Sequence, residues 1–364
     1  MIILGLPSLN IIFKQLGKTA IARGTKGTVA LLLKDTVPAT NPIIMNSSDD
    51  IPTTLSAANK EQLELTFLGY VNPPKQVIAY VVAADATDYA AAQNYLETIM
   101  WDYFAFPDIA DAEVAAFATW AKGLRTNKNK EVKAVLPNSA GDSETIINYV
   151  NVLNKTDAAT YTTKQYCARI AGLLAGTPFT MSATYAPLYE LLDCDHLIKT
   201  DADTAIDAGK LILINDGRKV KIGRAVNSLV TTTADKGAKF KKIKLVDIMD
   251  LIKGDIRKTA EDNYIGKVQN DYDHKILLIS AISDYFDSLE LSGLLAKGQS
   301  KVYIDIPSQT AYLKSIGYKT TDGKTVDQMT ENEIKEADTD DKVFIGASIK
   351  MIDSMEDISF AVGI

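Results

Sequence analysis

The sequence predicts an α/β domain followed by an α+β domain, framed by extended arms, and three observations carry that prediction. Through the first half, apolar runs without polar alternation are separated by helical patterns, as in a mostly parallel, doubly wound-like sheet covered on both faces. Further on, the pattern turns to a hairpin and two long helices. Both ends of the chain read as β-strands with no local partner, and such strands are aggregation hazards unless they add to another sheet.

At the front, Ile2, Ile3, Leu4, Leu6, Leu9, Ile11, Ile12 and Phe13 form an apolar run that no hairpin turn follows. Residues 17–27, with Gly17, Arg23, Gly24 and Gly27, read as a flexible joint. Residues 27–33 predict a buried strand. Residues 56–70 predict a helix opening on a capping-box arrangement of Ser56 with Lys60 and Glu61. Strands at 76–82, 103–106 and 132–136 alternate with helices at 88–98 and 111–124. Residues 164–175 predict an amphipathic helix closed by Gly176 and Pro178. Its Ala168, Ala171, Gly172 and Ala175 permit close packing.

A helix at 201–208 leads into two apolar runs around Asp216-Gly217, the strongest hairpin signal in the chain. Apolar residues at helical spacing mark long helices near 246–264 and 272–295. A strand at 302–306, helices at 308–316 and 330–337, and a strand at 343–352 follow. The chain ends on Ile358, Phe360, Val362 and Ile364, alternating along a final strand. This divides the chain into an arm and joint (1–22), an α/β domain (23–195), an α+β domain (196–352) and a C-terminal arm (353–364).

Of the 364 residues 46% are hydrophobic and 23% charged, which is a globular composition, and the length calls for more than one core. The net charge of −7 gives no reason to expect nucleic-acid binding. Cys167 and Cys194 form no paired framework, which suits a reducing compartment. The N-terminus lacks a basic region, and Pro7, Ser8 and Asn10 interrupt its apolar run. No stretch approaches the roughly 20 apolar residues that span a bilayer. The expectation is a protein made and kept soluble in a cytoplasm, or leaving it other than by secretion.

Chemistry is sparsely encoded. There is no G-x-G-x-x-G, Walker loop or G-x-S-x-G elbow, and Gly24-Thr25-Lys26-Gly27 precedes a strand where a phosphate cradle would follow one. His196, beside Asp193, Cys194 and Asp195, lacks a second ligand pair at metal spacing. His274 fits the polar first turn of a helix, and Cys167 lies among apolar helix positions as a structural thiol. Catalytic, cofactor and metal residues are therefore assigned to none. The competing class is an α/β enzyme with a small-molecule site at the C-terminal edge of the strands.

Charge distribution is more informative. Between residues 236 and 258 stand eight basic residues, Lys239, Lys241, Lys242, Lys244, Arg257 and Lys258 among them, against three acidic ones. Between 327 and 341 stand seven acidic residues, including Glu331, Glu333, Glu336, Asp338, Asp340 and Asp341, against one lysine. Opposed blocks can steer identical chains into a head-to-tail lattice. They can equally be two solvated faces.

Four stretches resemble the tail sheath proteins of contractile phages and phage-tail-like bacteriocins, in particular the short Gram-positive type. They are Gly5-Leu6-Pro7-Ser8-Leu9-Asn10-Ile11, residues 168–178 (Ala168-Arg169 through Gly176-Thr177-Pro178), Arg224-Ala225-Val226-Asn227-Ser228-Leu229, and Asp255-Ile256-Arg257-Lys258 with Tyr264-Ile265-Gly266-Lys267-Val268. The resemblance implies a structural subunit with no catalytic residues and no cofactor. It implies stacked hexameric rings around a tail tube, with the two arms completing a sheet in the α+β domain of neighbouring subunits. The accepting sheet would include residues 343–352 and 301–306. Implied partners are further copies of the chain and the tube, baseplate and tail terminator proteins, with no nucleic acid and no membrane insertion. Assembly would occur in the bacterial host cytoplasm, before release in an extracellular particle. The 17–27 joint and the 353–357 linker are the expected hinges.

Overall fold

Apolar residues on both faces of β1 (Thr28–Lys34) set the layering of the structure around it. Its Val29, Leu31 and Leu33 enter one hydrophobic cluster, while Ala30 and Leu32 enter another, as alternation across a strand requires. The computed structural model describes residues 20–363. The arm expected at Met1 to Phe13, and Ile364, lie outside the described residues.

After β1 come β2 (Ile43–Met45), α1 (Ala57–Phe67), β3 (Gln76–Val82), α2 (Ala90–Thr98), β4 (Tyr103–Ala105), α3 (Val114–Asn127), β5 (Lys133–Pro137) and β6 (Ile146–Tyr149). Short β7 (Asn154–Thr156) and β8 (Thr160–Tyr161) precede α4 (Thr163–Ala175) and β9 (Leu191–Cys194). Then follow α5 (Lys199–Asp207), β10 (Lys210–Leu211), the hairpin β11 (Leu213–Asn215) and β12 (Val220–Ile222), and α6 (Ile243–Asn263). The remaining elements are α7 (Tyr272–Leu291), β13 (Lys301–Ile304), α8 (Ile306–Ser315), α9 (Glu331–Glu336) and β14 (Ile345–Ser348).

Seven strands form one sheet in the order β10-β6-β5-β4-β1-β3-β2. Every neighbouring pair is parallel except β2 with β3. One side carries α1 and α4; the other carries an aromatic layer of Phe104, Phe106, Phe117 and Trp101 with α2 and α3. The compact units are residues 24–254 with 351–363, and residues 255–350 with 20–23. The division falls inside α6 and not near residue 195, because β10 joins the large sheet and Leu213, Val220 and Ile222 enter the same cluster as β1.

The helix α4 is not amphipathic in its setting: every residue from Tyr166 to Ala175 is buried. Its glycines set how closely it lies to α1. A Cβ on Gly172 would stand 1.9 Å from the Thr66 carbonyl oxygen, and one on Gly176 2.0 Å from that of Asn72. Buried Arg169 completes the contact, its Nη1 donating to the Gly69 carbonyl at 2.7 Å and its Nε to Glu190 at 2.6 Å. Ser56 caps α1 through the Asn59 amide, but Glu61 does not close a capping box; its carboxylate accepts a 2.5 Å hydrogen bond from Tyr161 instead.

In the second unit β13 and β14 pair antiparallel, Lys301 opposite Ser348 and Ile304 opposite Ile345. The strand expected over 343–352 is therefore realised over four residues. Leu313 of α8 and Ile334 of α9 share a small core with Val326 and Ala337.

Gly172→Ala should lower stability by about 3 kcal/mol through overpacking against backbone that cannot move aside. Gly123→Ala, on α3 with no atom nearer than 3.8 Å, should raise it by roughly 0.5–1 kcal/mol through helix propensity. Thermal unfolding of both variants checks the contrast, and equal midpoints would remove the close-packing argument.

Candidate functional site

Two carboxylates three residues apart on α6, Asp247 and Asp250, face the large sheet, and their burial demands cations. Lys26 Nζ donates to Asp247 Oδ2 at 2.5 Å, and Lys133 Nζ lies 2.9 Å from Asp247 Oδ1 and 2.5 Å from Asp250 Oδ2. Arg125 pairs with Asp250, Glu131 and Glu144. Lys253 and Lys236 extend the lattice by pairing with Glu131 at 2.6 Å and Glu144 at 2.7 Å. The Tyr103 hydroxyl donates to Asp247, and Asp102 accepts the amides of Gly27 and Thr28. Burial alone would lower the Lys133 pKa, but Asp247 and Asp250 outweigh it and raise it. Burial would likewise raise Asp247, yet Lys133 and Lys26 hold it down to about 2.

The lattice lies at the N-terminal ends of β1, β4 and β5. Parallel sheets bind ligands at the opposite end, in the crevice beside the first strand. There Lys34 Nζ sits 5.3 Å and 5.7 Å from the ring centroids of Tyr89 and Phe106, and Asp35 accepts from the Ser56 amide and Asn59 Nδ2. These are packing and capping contacts. Among the described residues no three His, Cys, Asp or Glu side chains gather at metal-binding distance. Both cysteines are buried and free, and burial pushes the Cys194 thiol up to about 12. His196 is exposed beside Asp193, and His274 contacts Asp271, the N-cap of α7.

Within the basic block, Lys242 donates to Asp353 at 2.5 Å and Glu356 at 3.1 Å, and buried Lys244 donates to Ser354 at 3.0 Å. Lys239 and Lys258 are exposed, while Lys241 and Arg257 are half-buried. In the acidic block, Glu333 pairs with Lys324 at 2.6 Å and Glu331 with Lys335 at 2.6 Å. Asp340 accepts from the Tyr312 hydroxyl, Asp338 from the Asp340 amide, and Asp341 pairs with Lys342. Glu336 is exposed. The sequence gives no sign of the Lys242 and Lys26 pairings, because their partners stand 111 and 221 residues away.

Both expected hinges are tied down in part. Residues 26–28 are fixed by Asp247 and Asp102, and the 353–357 linker by Lys242, Lys244 and Arg224. Beyond the linker, residues 358–363 carry no helix or strand. Ile358, Phe360 and Val362 are 81%, 86% and 70% exposed. In the second unit an apolar groove of about 740 Å³ is lined by Ile256, Tyr264, Leu278, Ile282, Val302 and Ile345. Asn270 borders it and donates to the carbonyls of Asp340 and Lys342.

The family model for the phage tail sheath protein central domain matches residues 80–228, and that for the phage tail sheath C-terminal domain matches residues 235–364. The chain is 39% identical over 363 residues to the tail sheath protein of Clostridium phage phiCD119, covering 98% of this chain and 99% of that protein. Its fold is similar to the crystal structure of the sheath tail protein from Desulfitobacterium hafniense, with a TM-score of 0.69 at 18% identity, over 82% of this chain and 94% of the other. It is also similar to the cryo-EM structure of the anti-feeding prophage helical sheath in its contracted state, with a TM-score of 0.71 at 15% identity and 99% of each chain covered.

Asp247→Asn leaves the lattice cations under-neutralised and should cost about 3–5 kcal/mol. The depressed Asp247 pKa gives stability that is complete above the unfolded value of 3.8 and is lost as the pH falls through about 2. Denaturant titrations between pH 5 and 2 should therefore show a smaller acid loss in Asp247→Asn than in the parent; parallel curves would contradict this.

Proposed function

The chain belongs to the phage tail sheath family and is a structural protein of a contractile tail, and from that premise we propose how it works. Subunits assemble as stacked hexameric rings in a helical sheath around a tail tube. The baseplate triggers contraction, and a tail terminator closes the far end. Contraction drives the tube through a target envelope without a nucleotide or metal, the work coming from new interfaces formed as rigid subunits slide and rotate. Assembly takes place in the bacterial host cytoplasm, and the sheath then leaves in the released particle.

The observation that carries this reading is the C-terminal segment. Three large apolar side chains alternate along residues 358–362 and stand in solvent, an arrangement that stabilises nothing in the isolated chain. Burying each would contribute roughly 1.5–3 kcal/mol. We assign them, with Ile364 and the N-terminal Ile2, Ile3, Leu4, Leu6, Leu9, Ile11, Ile12 and Phe13, to strand addition on other copies. The β13–β14 sheet, which has two strands among the described residues, and the adjoining groove suit an apolar extended segment of a neighbour. Exposed Lys239 and Lys258 facing the tube or a neighbour's Glu336 and Asp338 would steer the approach.

Negative-stain electron microscopy of the purified protein should show hollow striated cylinders. Removal of residues 358–364 should leave the thermal midpoint unchanged and give only small particles. Cylinders of normal length from the truncated chain would refute the arm assignment.

A further inference from the structure

Residues 353–357 are held to the first unit by side chains and not by a strand ladder, and one residue enters far more deeply than its neighbours. The Glu356 side chain is 6% exposed, against 83% for Asp357. Its Oε1 accepts from Thr184 Oγ1 at 2.7 Å and lies 3.2 Å from Ser182 Oγ. Its Oε2 accepts from Lys242 Nζ at 3.1 Å, with Arg224 Nε at 3.6 Å. The donors come from three separate stretches of chain, and the pocket is braced independently of its occupant. Thr184 Oγ1 accepts the Ala225 amide at 3.1 Å, and Ser182 Oγ accepts the Thr184 amide at 3.1 Å. A carboxylate withdrawn from water needs this degree of pairing, and here it has two cations and two hydroxyls.

We propose that Glu356 is the anchor of the C-terminal strand. Its socket fixes the base and heading of residues 358–362 before another copy engages them, and transmits the pull of that copy into the large sheet's unit through Ser182, Thr184, Arg224 and Lys242. This rests on the reading that the strand pairs with a second copy. Fixing the base in advance removes ordering entropy from the association step, which tightens assembly without adding a contact. Asp357, at the exposed rim, contributes little by comparison.

The test uses the full-length chain with a nitroxide attached at Met355→Cys, a 92% exposed position; the buried Cys167 and Cys194 stay unlabelled in the folded protein. Adding Glu356→Ala should convert an immobilised spectrum to a mobile one and raise the critical concentration for sedimentable polymer about tenfold. Thr184→Val, which keeps the side-chain shape, should move both readouts in the same direction. Asp357→Asn should leave both within about twofold. Unchanged label mobility in Glu356→Ala overturns the socket, and increased mobility with unchanged assembly overturns its role in transmitting the pull of a second copy. If removal of residues 358–364 leaves assembly intact, the strand reading fails, and the label alone still decides whether Glu356 is the anchor.

Discussion

Asp247 and Asp250 place two negative charges inside the first unit, and the structure around them follows from the need to neutralise them. Lys26 stands just before β1, Lys133 opens β5, and Arg125 lies near the end of α3. One lattice thereby sets the starts of two central strands and the position of α6 against them. Removing either partner of such a pair strands a buried charge at a cost of several kcal/mol, so the contacts hold together or fail together. Salt screens exposed pairs far more than these. Under the proposed contraction, having the strands and the crossing helix of the first unit fixed by the same group of residues would keep that unit intact.

How much of this could be read from the sequence depended on the range of the forces involved. Four strands of the large sheet, β1, β3, β4 and β5, were legible because apolar residues on both faces leave only one environment for them, whereas β2, β6 and β10 were not read as its strands. The long helices and the Asp216-Gly217 hairpin were legible because their signals are local. Gly172 correctly suggested close packing, but the contact at Gly176, read only as a stop signal, was not foreseen, and α4 is buried all round, which no periodicity encodes. The segments around Lys26 and Asp353 looked flexible because glycine and charge usually mark solvated chain. Their partners are distant in sequence, and an ion pair across that separation leaves no local trace. Glu356 was hidden for the same reason: between Met355 and Asp357 it resembles any surface acid.

The two halves of the functional picture are a rigid interior and an unfinished exterior. The first unit pairs its buried charges inward, and Lys236, Lys242, Lys244 and Lys253 of the basic block that looked available to a partner are already committed. Among the large apolar side chains that stay exposed, Ile358, Phe360 and Val362 alternate along one short segment. On the proposed reading, a segment of that kind would be completed by a neighbour's ladder, with backbone hydrogen bonds supplying direction and the apolar face supplying affinity. Membership of the sheath family is what supports proposing another copy of the same chain as that neighbour.

Hydrogen exchange at the amides of residues 358–363, compared between assembled and unassembled protein, tests this most directly. Strand addition predicts rapid exchange in the free subunit and protection by about a hundredfold or more in the sheath. Equal, rapid exchange in both states would mean that the C-terminal segment holds no neighbour, and the sheath would have to be joined by other surfaces.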